Sequence, residues 1–376
     1  MTYLYRSLAI ALTLLMSLHG SYAANDLSPT EASVSPERSV IEPYEPRFGR
    51  TRPVVAVVGD NAGTVAADFL IPYGVLAASG LADLVSVAMH PGLLRLGSLE
   101  VSPEHSSATF DAAYAQGADY VFVPAVTDPA NPELTAWVAS QAAKGATLVS
   151  ICNGSLVLAH AGVTKGHAAT GHWSTYERRL KDFPDTHWVK NVRYVADGKL
   201  VSSAGITAAM PTSIAVVEAI GGTARAAELA RRLGVGYWGT RHDSDAFRLE
   251  FLDYLVGAKN AFLMPKDIVG LPVSDGVDEI AVALASEAYE DTLRARVRVV
   301  AEKDRRVRTR GGLTLLADSV AGDGSFVDYS APAFDNGPAG ELPSKLLGDI
   351  TRRYGARAAR FVVLDWEYPD ALNAAR

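Results

Sequence analysis

The nine residues Ala146-Thr-Leu-Val-Ser-Ile-Cys-Asn-Gly154 limit what this chain can become more than any other stretch. Ala146 to Ile151 form a short run of apolar and β-prone residues, which suits a strand buried on both faces of a parallel sheet. Ser155-Leu-Val-Leu-Ala159 then reads as the first turns of a helix. Small residues two places either side of Cys152 fit a sharp strand-to-helix turn, the geometry of a nucleophile elbow. Such a turn pushes the central side chain out at the carboxyl end of the sheet. It also sets that side chain beside a helix N-terminus, whose partial positive charge favours a thiolate. Cys152 is the only cysteine in 376 residues. Its place in the turn predicts a reactive thiol rather than a small packing residue.

The remaining bounds come from composition. A single cysteine excludes an internal disulfide and a thiolate zinc site. No HExxH or Walker pattern occurs, so no metal or nucleotide cofactor is expected. The net charge of −7 argues against a nucleic-acid surface, and the basic cluster Lys303 to Arg310 reads as a solvated hairpin. At the N-terminus, Arg6 precedes an apolar run from Leu8 to Leu18 and the small residues Ser21 and Ala23. That pattern predicts a signal peptide over 1–24, cut near Ala23, and export to the periplasm or beyond. The run is shorter than the roughly 20 residues a membrane span needs, so no stable membrane anchor is expected. Residues 25–52, rich in Ser, Pro and Glu, read as a disordered spacer.

The fold is expected to begin at Pro53-Val-Val-Ala-Val-Val-Gly-Asp60, a buried strand. A helix follows through Phe69, Leu70, Tyr73 and Leu76, with Gly80 as its C-cap. Strands are predicted at Leu84–Ala88 and Asp119–Pro124, with a polar hairpin between Leu93 and Ser107. A helix from Pro132 to Lys144 leads into the strand that carries Cys152. Beyond the elbow, Asp197-Gly198 marks a hairpin and Pro211–Ile220 a helix. Strands alternating with helices at this spacing specify α/β architecture: a three-layer sandwich around a mainly parallel sheet. Its sites form beyond the carboxyl ends of the strands, where the elbow lies.

The segment from Cys152 through His167 to Gly171-His172-Trp173 resembles the core motif of the ThiJ/PfpI superfamily, which has a class I glutamine-amidotransferase-like fold. Within it, the resemblance is to isonitrile hydratases and to the amidase-like sensor domain of AraC-type regulators, over about residues 53 to 260. The elbow cysteine, His172 twenty residues downstream, and Asp68 four residues before Pro72 carry it. The resemblance implies that the acid at Asp68 points at the thiol. It also implies an oxyanion pocket after the strand ending at Pro124. There the family usually has Pro-Gly-Gly, and this chain has Pro124-Ala125-Val126. Ala125 retains an N–H but disfavours a positive-φ turn. Asn153 replaces the threonine that hydratase relatives often carry after the cysteine. Ala125 and Asn153 are thus the pocket candidates.

The tail, 266–376, reads as a truncated second copy of the first half of the 53–265 domain. Asp267–Asp275 reads as a strand, Val277–Leu293 as a helix and Ala295–Ala301 as a strand. Leu313–Phe326 lines up with Leu99–Phe110, and Leu342–Tyr354 with Arg360–Asp365 mirrors the helix and strand leading into Cys152. Ala281 stands where the acid should be, so the copy is expected to be non-catalytic. The resemblance implies a cysteine-dependent hydratase or hydrolase of a small-molecule electrophile. Cys152 attacks the terminal carbon of an isonitrile, Asp68 serves as acid and base, and His172 supplies a proton or orients water. The alternatives are a glyoxalase- or deglycase-like enzyme, in which His172 matters more, and a non-enzymatic ligand or redox sensor. A homodimer is compatible with every one of these readings. The thiol is expected to ionise below pH 7, beside a protonated Asp68.

Overall fold

Alternation along the first strand sets up the layers. In the computed structural model, which describes residues 40–332 and 337–372, β1 (Val54–Gly59) is wholly buried. Val55 and Val57 join one core, and Val54, Ala56 and Val58 join the other, as the two-residue period of a doubly covered strand requires. The chain continues through α1 (Ala66–Ser79), β2 (Asp83–Ala88) and a hairpin of β3 (Leu94–Leu96) and β4 (Leu99–Ser102). Next come β5 (His105–Ser106), α2 (Ser107–Ala113), β6 (Tyr120–Val123), α3 (Pro132–Ala143), β7 (Thr147–Ser150) and α4 (Gly154–His160). The first unit closes with β8 (Ala168–Ala169), α5 (Tyr176–Asp182), β9 (His187–Trp188), β10 (Tyr194–Asp197), β11 (Leu200–Ser203), α6 (Ile206–Gly221) and α7 (Thr223–Leu233).

The central sheet runs β10-β11-β7-β6-β1-β2-β5, and every pairing but the β10–β11 hairpin is parallel. Side chains of α1 and α6, such as Phe69, Ile71, Ile214 and Val216, pack on one face. Leu134, Trp137 and Val138 of α3 and Val157 and Leu158 of α4 pack on the other. The expected three-layer α/β sandwich is therefore present, with β7 in its interior.

The spacer is shorter than expected. The signal peptide and residues 25–39 lie outside the described residues, but 40–52 are tied to the sandwich. Arg47 and Arg50 donate to the two carboxylate oxygens of Asp119 at 2.6 and 2.8 Å, and Asp119 also accepts from Val54 N–H. Tyr44 N–H donates to Ala219 O, and Ile41 is buried. A buried carboxylate needs cationic and N–H partners, and a segment with little apolar periodicity supplies them.

After α8 (Phe251–Ala258) and a π turn over Lys259–Leu263, the tail forms β12 (Asp267–Val273), α9 (Glu279–Asp291), β13 (Ala295–Ala301), β14 (Arg306–Arg308), β15 (Thr314–Leu316), β16 (Ser319–Val320) and β17 (Tyr329–Ser330). Its sheet runs β16-β13-β12-β17, all parallel. α9 packs against α1, and the two hairpins join edge to edge as β14-β15-β4-β3, with Leu315 opposite Val101. Two helices, α10 (Leu342–Tyr354) and α11 (Ala356–Trp366), complete the chain. Leu271, Tyr289 and Trp366 belong to the same core as Phe69 and Ile71, so the tail is packed onto the first unit.

One expected element is wrong. Arg360–Asp365 is not a strand but part of α11. The run Phe361-Val-Val-Leu364 is buried all round, and a short apolar run does not by itself separate a strand from a buried helix. α10 and α11 meet at Gly355 (φ 86°, ψ 162°), nearly the geometry of Gly222 (φ 83°, ψ 165°) between α6 and α7. The last two helices thus resemble the end of the first unit, not the approach to Cys152.

Candidate active site around Cys152

β7 ends at Ser150, and two residues later Cys152 sits at φ 55°, a left-handed conformation that is strained for a residue with a Cβ. The strain is held from both sides. Cys152 N–H donates to Ala204 O at 3.0 Å, and Ser155 Oγ donates to Cys152 O at 3.1 Å. At Gly154 a Cβ would collide with the carbonyl oxygen of Val123, so only glycine lets α4 start against the end of β6. The predicted elbow is therefore real, and its small residues serve close backbone approach.

α1 carries Asp68 fully buried, where its charge acts on the thiol, but no hydrogen bond joins the two. Ala125 N–H donates to Asp68 Oδ2 at 3.0 Å, while Oδ1 has no hydrogen-bond partner among the described residues. The Ala125 N–H is thus spent on the acid rather than left for an oxyanion. Ala125 is outside the left-handed region, so alanine fits where the family pattern has glycine. Asn153 acts twice: its backbone N–H favours the Cys152 thiolate, and its Oδ1 accepts from Thr175 Oγ1 at 2.6 Å. His172 is buried, with Nδ1 2.7 Å from Ser174 Oγ and Nε2 2.9 Å from Asp365 O. Both of its nitrogens are engaged away from the sulfur. His160 and His167 are exposed.

The expected acidic thiol is not what this geometry produces. The turn buries Cys152, leaving 8% of it exposed. Burial pushes the thiol well up, and Asp68 and Asp365 push the same way, against the Asn153 N–H. Burial likewise holds the Asp68 carboxyl well above the usual carboxylate range, opposed by the Ala125 N–H and reinforced by Glu287 and Asp365.

Several residues at the site escape a local reading because they come from the tail. Leu364 to Glu367 lies across the first unit: Trp173 Nε1 donates to Leu364 O, and Thr207 Oγ1 to Glu367 O. Glu367, fully buried at φ 52°, accepts from Trp173 N–H (2.9 Å), Gly205 N–H (3.1 Å) and His242 Nε2 (2.5 Å). Burial acts to raise its pKa, but the His242 hydrogen bond and the neighbouring His172 and His242 rings outweigh it and hold the carboxyl below the usual range. Glu287 of α9 accepts from Ala66 N–H at 2.8 Å and so caps the helix that carries Asp68. Arg179, on α5, is a buried guanidinium that burial lowers to about 10. It donates to His172 O and to Thr175 Oγ1, and so props the Asn153 contact. A cavity of about 360 Å³ opens beside this network, walled by Trp173, Tyr176, Arg179, Phe247 and Arg248.

Gly234-Val-Gly-Tyr-Trp-Gly239 has GxGxxG spacing, but it follows α7 rather than a strand, so it lacks the setting of a nucleotide loop. Among the described residues, no three His, Cys, Asp or Glu side chains are arranged to hold a metal ion, and no helix is long and apolar enough to cross a membrane.

Comparison with known proteins agrees with this geometry. The HTH-type transcriptional regulator CdhR of Pseudomonas aeruginosa is 29% identical over 128 residues, covering 33% of this chain and 38% of the regulator. An isonitrile hydratase of Pseudomonas putida is 36% identical over 88 residues, covering 23% of this chain and 36% of the hydratase. The chain thus spans less than two-fifths of the length of these curated relatives. Among solved structures, Drosophila melanogaster DJ-1beta aligns with a TM-score of 0.45 at 22% identity, over 50% of this chain and 100% of its own. An AraC family transcriptional regulator from Pseudomonas putida aligns with a TM-score of 0.43 at 20% identity, over 48% and 98%. Residues 55–219, which hold the elbow, Asp68 and His172, match the DJ-1/PfpI family, consistent with the ThiJ/PfpI superfamily.

Proposed function

We propose that the chain is a cysteine-dependent hydratase or hydrolase of a small, uncharged electrophile, with an isonitrile as the model substrate. One observation carries the reading: a strained elbow thiol shares a buried site with an acid whose Oδ1 has no hydrogen-bond partner among the described residues. An acid with a raised pKa can both take and give a proton near neutral pH. As the Cys152 sulfur bonds to the terminal carbon of the isonitrile, Asp68 takes the thiol proton and passes it to that carbon, leaving a thioimidate. Water adds to the same carbon, the C–S bond breaks, the sulfur recovers a proton, and an N-substituted formamide departs. The sum is isonitrile plus water. The partial likeness to an isonitrile hydratase supports the choice of substrate.

The glyoxalase or deglycase alternative needs a free histidine, and both nitrogens of His172 are occupied. A ligand or redox sensor is the stronger second reading, because the tail covers the site and a partial relative is a transcriptional regulator. Turnover of an isonitrile and methylglyoxal panel separates them. Wild-type protein should hydrate isonitriles, and Cys152→Ser should lose at least about 10³-fold. Wild-type protein inert on the whole panel would leave the sensor reading.

The tail is read as a degenerate partial copy that lacks both cysteine and acid, its first strands and helix like the start of the catalytic unit and its last two helices like the end. Through Glu287 and Glu367 it positions the site rather than standing apart from it. Export belongs to the same proposal. Mass spectrometry of protein from its native host should find an N-terminus close to Ala24, and an intact Met1 on cytosolic protein would refute export.

A further inference from the structure

The helix α8 and the π turn after it are amphipathic in the inverted sense. Two polar side chains face inward: Asp253 is buried and accepts from Arg360 Nε at 3.0 and 3.1 Å and from Glu250 N–H at 2.9 Å, and buried Asn260 donates to Thr292 O, while Lys259 stays exposed. Their apolar side chains face solvent. Phe251 is 65% exposed, Leu252 49%, Leu255 52%, Phe262 63% and Leu263 79%. Five large, exposed apolar side chains within thirteen residues are more than the scattered single exposures that need no explanation. Elsewhere at the junction of the two units, α1 packs against α9 and β4 pairs with β15.

We propose that this face is where two copies of the chain pair about a two-fold axis. Two observations choose a second copy. Phe251, Leu255, Ala258 and Phe262 are spaced by four, three and four residues. That spacing reads the same in both directions, so an antiparallel copy sets Phe251 against Phe262 and Leu255 against Ala258, as an isologous interface requires. The five side chains also present on the order of 500 Å² per copy, so pairing removes about 1,000 Å² from water, the size at which specific interfaces begin. The net charge of −7, with Glu250 at the head of the stripe, opposes an anionic lipid surface instead. α8 begins three residues after Arg248, so the partner's helix would lie close to the cavity beside Trp173.

Sedimentation velocity on the full chain over a dilution series, with vesicle flotation in parallel, tests this. Wild-type protein should be a dimer at high concentration. Leu255→Asp with Phe262→Asp should be a monomer with an unchanged circular dichroism spectrum, because both side chains are already exposed. A wild type that stays monomeric throughout would overturn the proposal, as would a dimer indifferent to both substitutions. Wild-type monomer floating with phosphatidylglycerol or phosphatidylcholine vesicles, with flotation lost in the variant, would overturn it in favour of a lipid surface.

Discussion

Unfolding free energy should fall, not rise, between pH 4.5 and pH 7, and Glu290→Gln should remove about 3 kcal/mol of that fall. Glu290 lies on α9 and accepts from the Ser98 hydroxyl in the turn between β3 and β4. Burial raises its pKa from 4.5 to about 7, against the pull of the Ser98 hydrogen bond. Between those two values the folded chain binds a proton that the unfolded chain has released. Stability is therefore lost as pH rises through the window, and the gap is worth about 3 kcal/mol. Asp68, Glu287 and Asp291 are raised by burial as well and act with the same sign. Glu367 acts with the opposite sign: its pKa is lowered, so its contribution is complete above the unfolded value and is lost only as pH falls through the folded one. That loss lies on the acid side of the window. Urea unfolding at a series of pH values measures the slope. A wild-type profile that is flat or rising across the window would show that these carboxyls are not buried together as described.

The elbow was legible because its requirements are local. A buried apolar run, small flanking residues and a glycine pressed against Val123 are all written within a few residues of Cys152. Asp68 was legible only through its family motif, since nothing near it in sequence says that Ala125 will bind it from 57 residues away. Glu367 had no local signal at all. Its value lies in Trp173, Gly205 and His242, which come to it from more than a hundred residues upstream. The misread strand at Arg360–Asp365 and the misread spacer at 40–52 share one cause. In both, packing against a distant partner decided the outcome, and period and composition are silent on distant partners. The thiol's acidity was misjudged for a related reason: the turn was expected to lift the sulfur into the open, and instead the fold buries it.

Asp68→Asn should make Cys152 easier to ionise while slowing the proposed isonitrile hydration. Burial raises both groups, and the Asp68 carboxylate adds to the rise of the thiol, which has to ionise against that charge. Asparagine removes that opposing charge at nearly constant volume. The pH midpoint for alkylation by iodoacetamide should lie above that of a free cysteine, about 8.5, in the wild type. It should drop by about one pH unit or more in Asp68→Asn. With Cys152 the only thiol, the alkylation rate reports on this site alone. Turnover should move the other way. Asparagine cannot carry a proton from sulfur to carbon, so isonitrile hydration should fall by about 10²-fold or more. The opposite signs are the diagnostic. A residue that merely packs against the thiol would shift both readouts together, and a sensor would show the alkylation change with no turnover to lose. If Asp68→Asn instead raises the midpoint, the wild-type proton stays on Asp68 while the thiolate forms. The acid would then stabilise the anion by a hydrogen bond from its unpartnered oxygen.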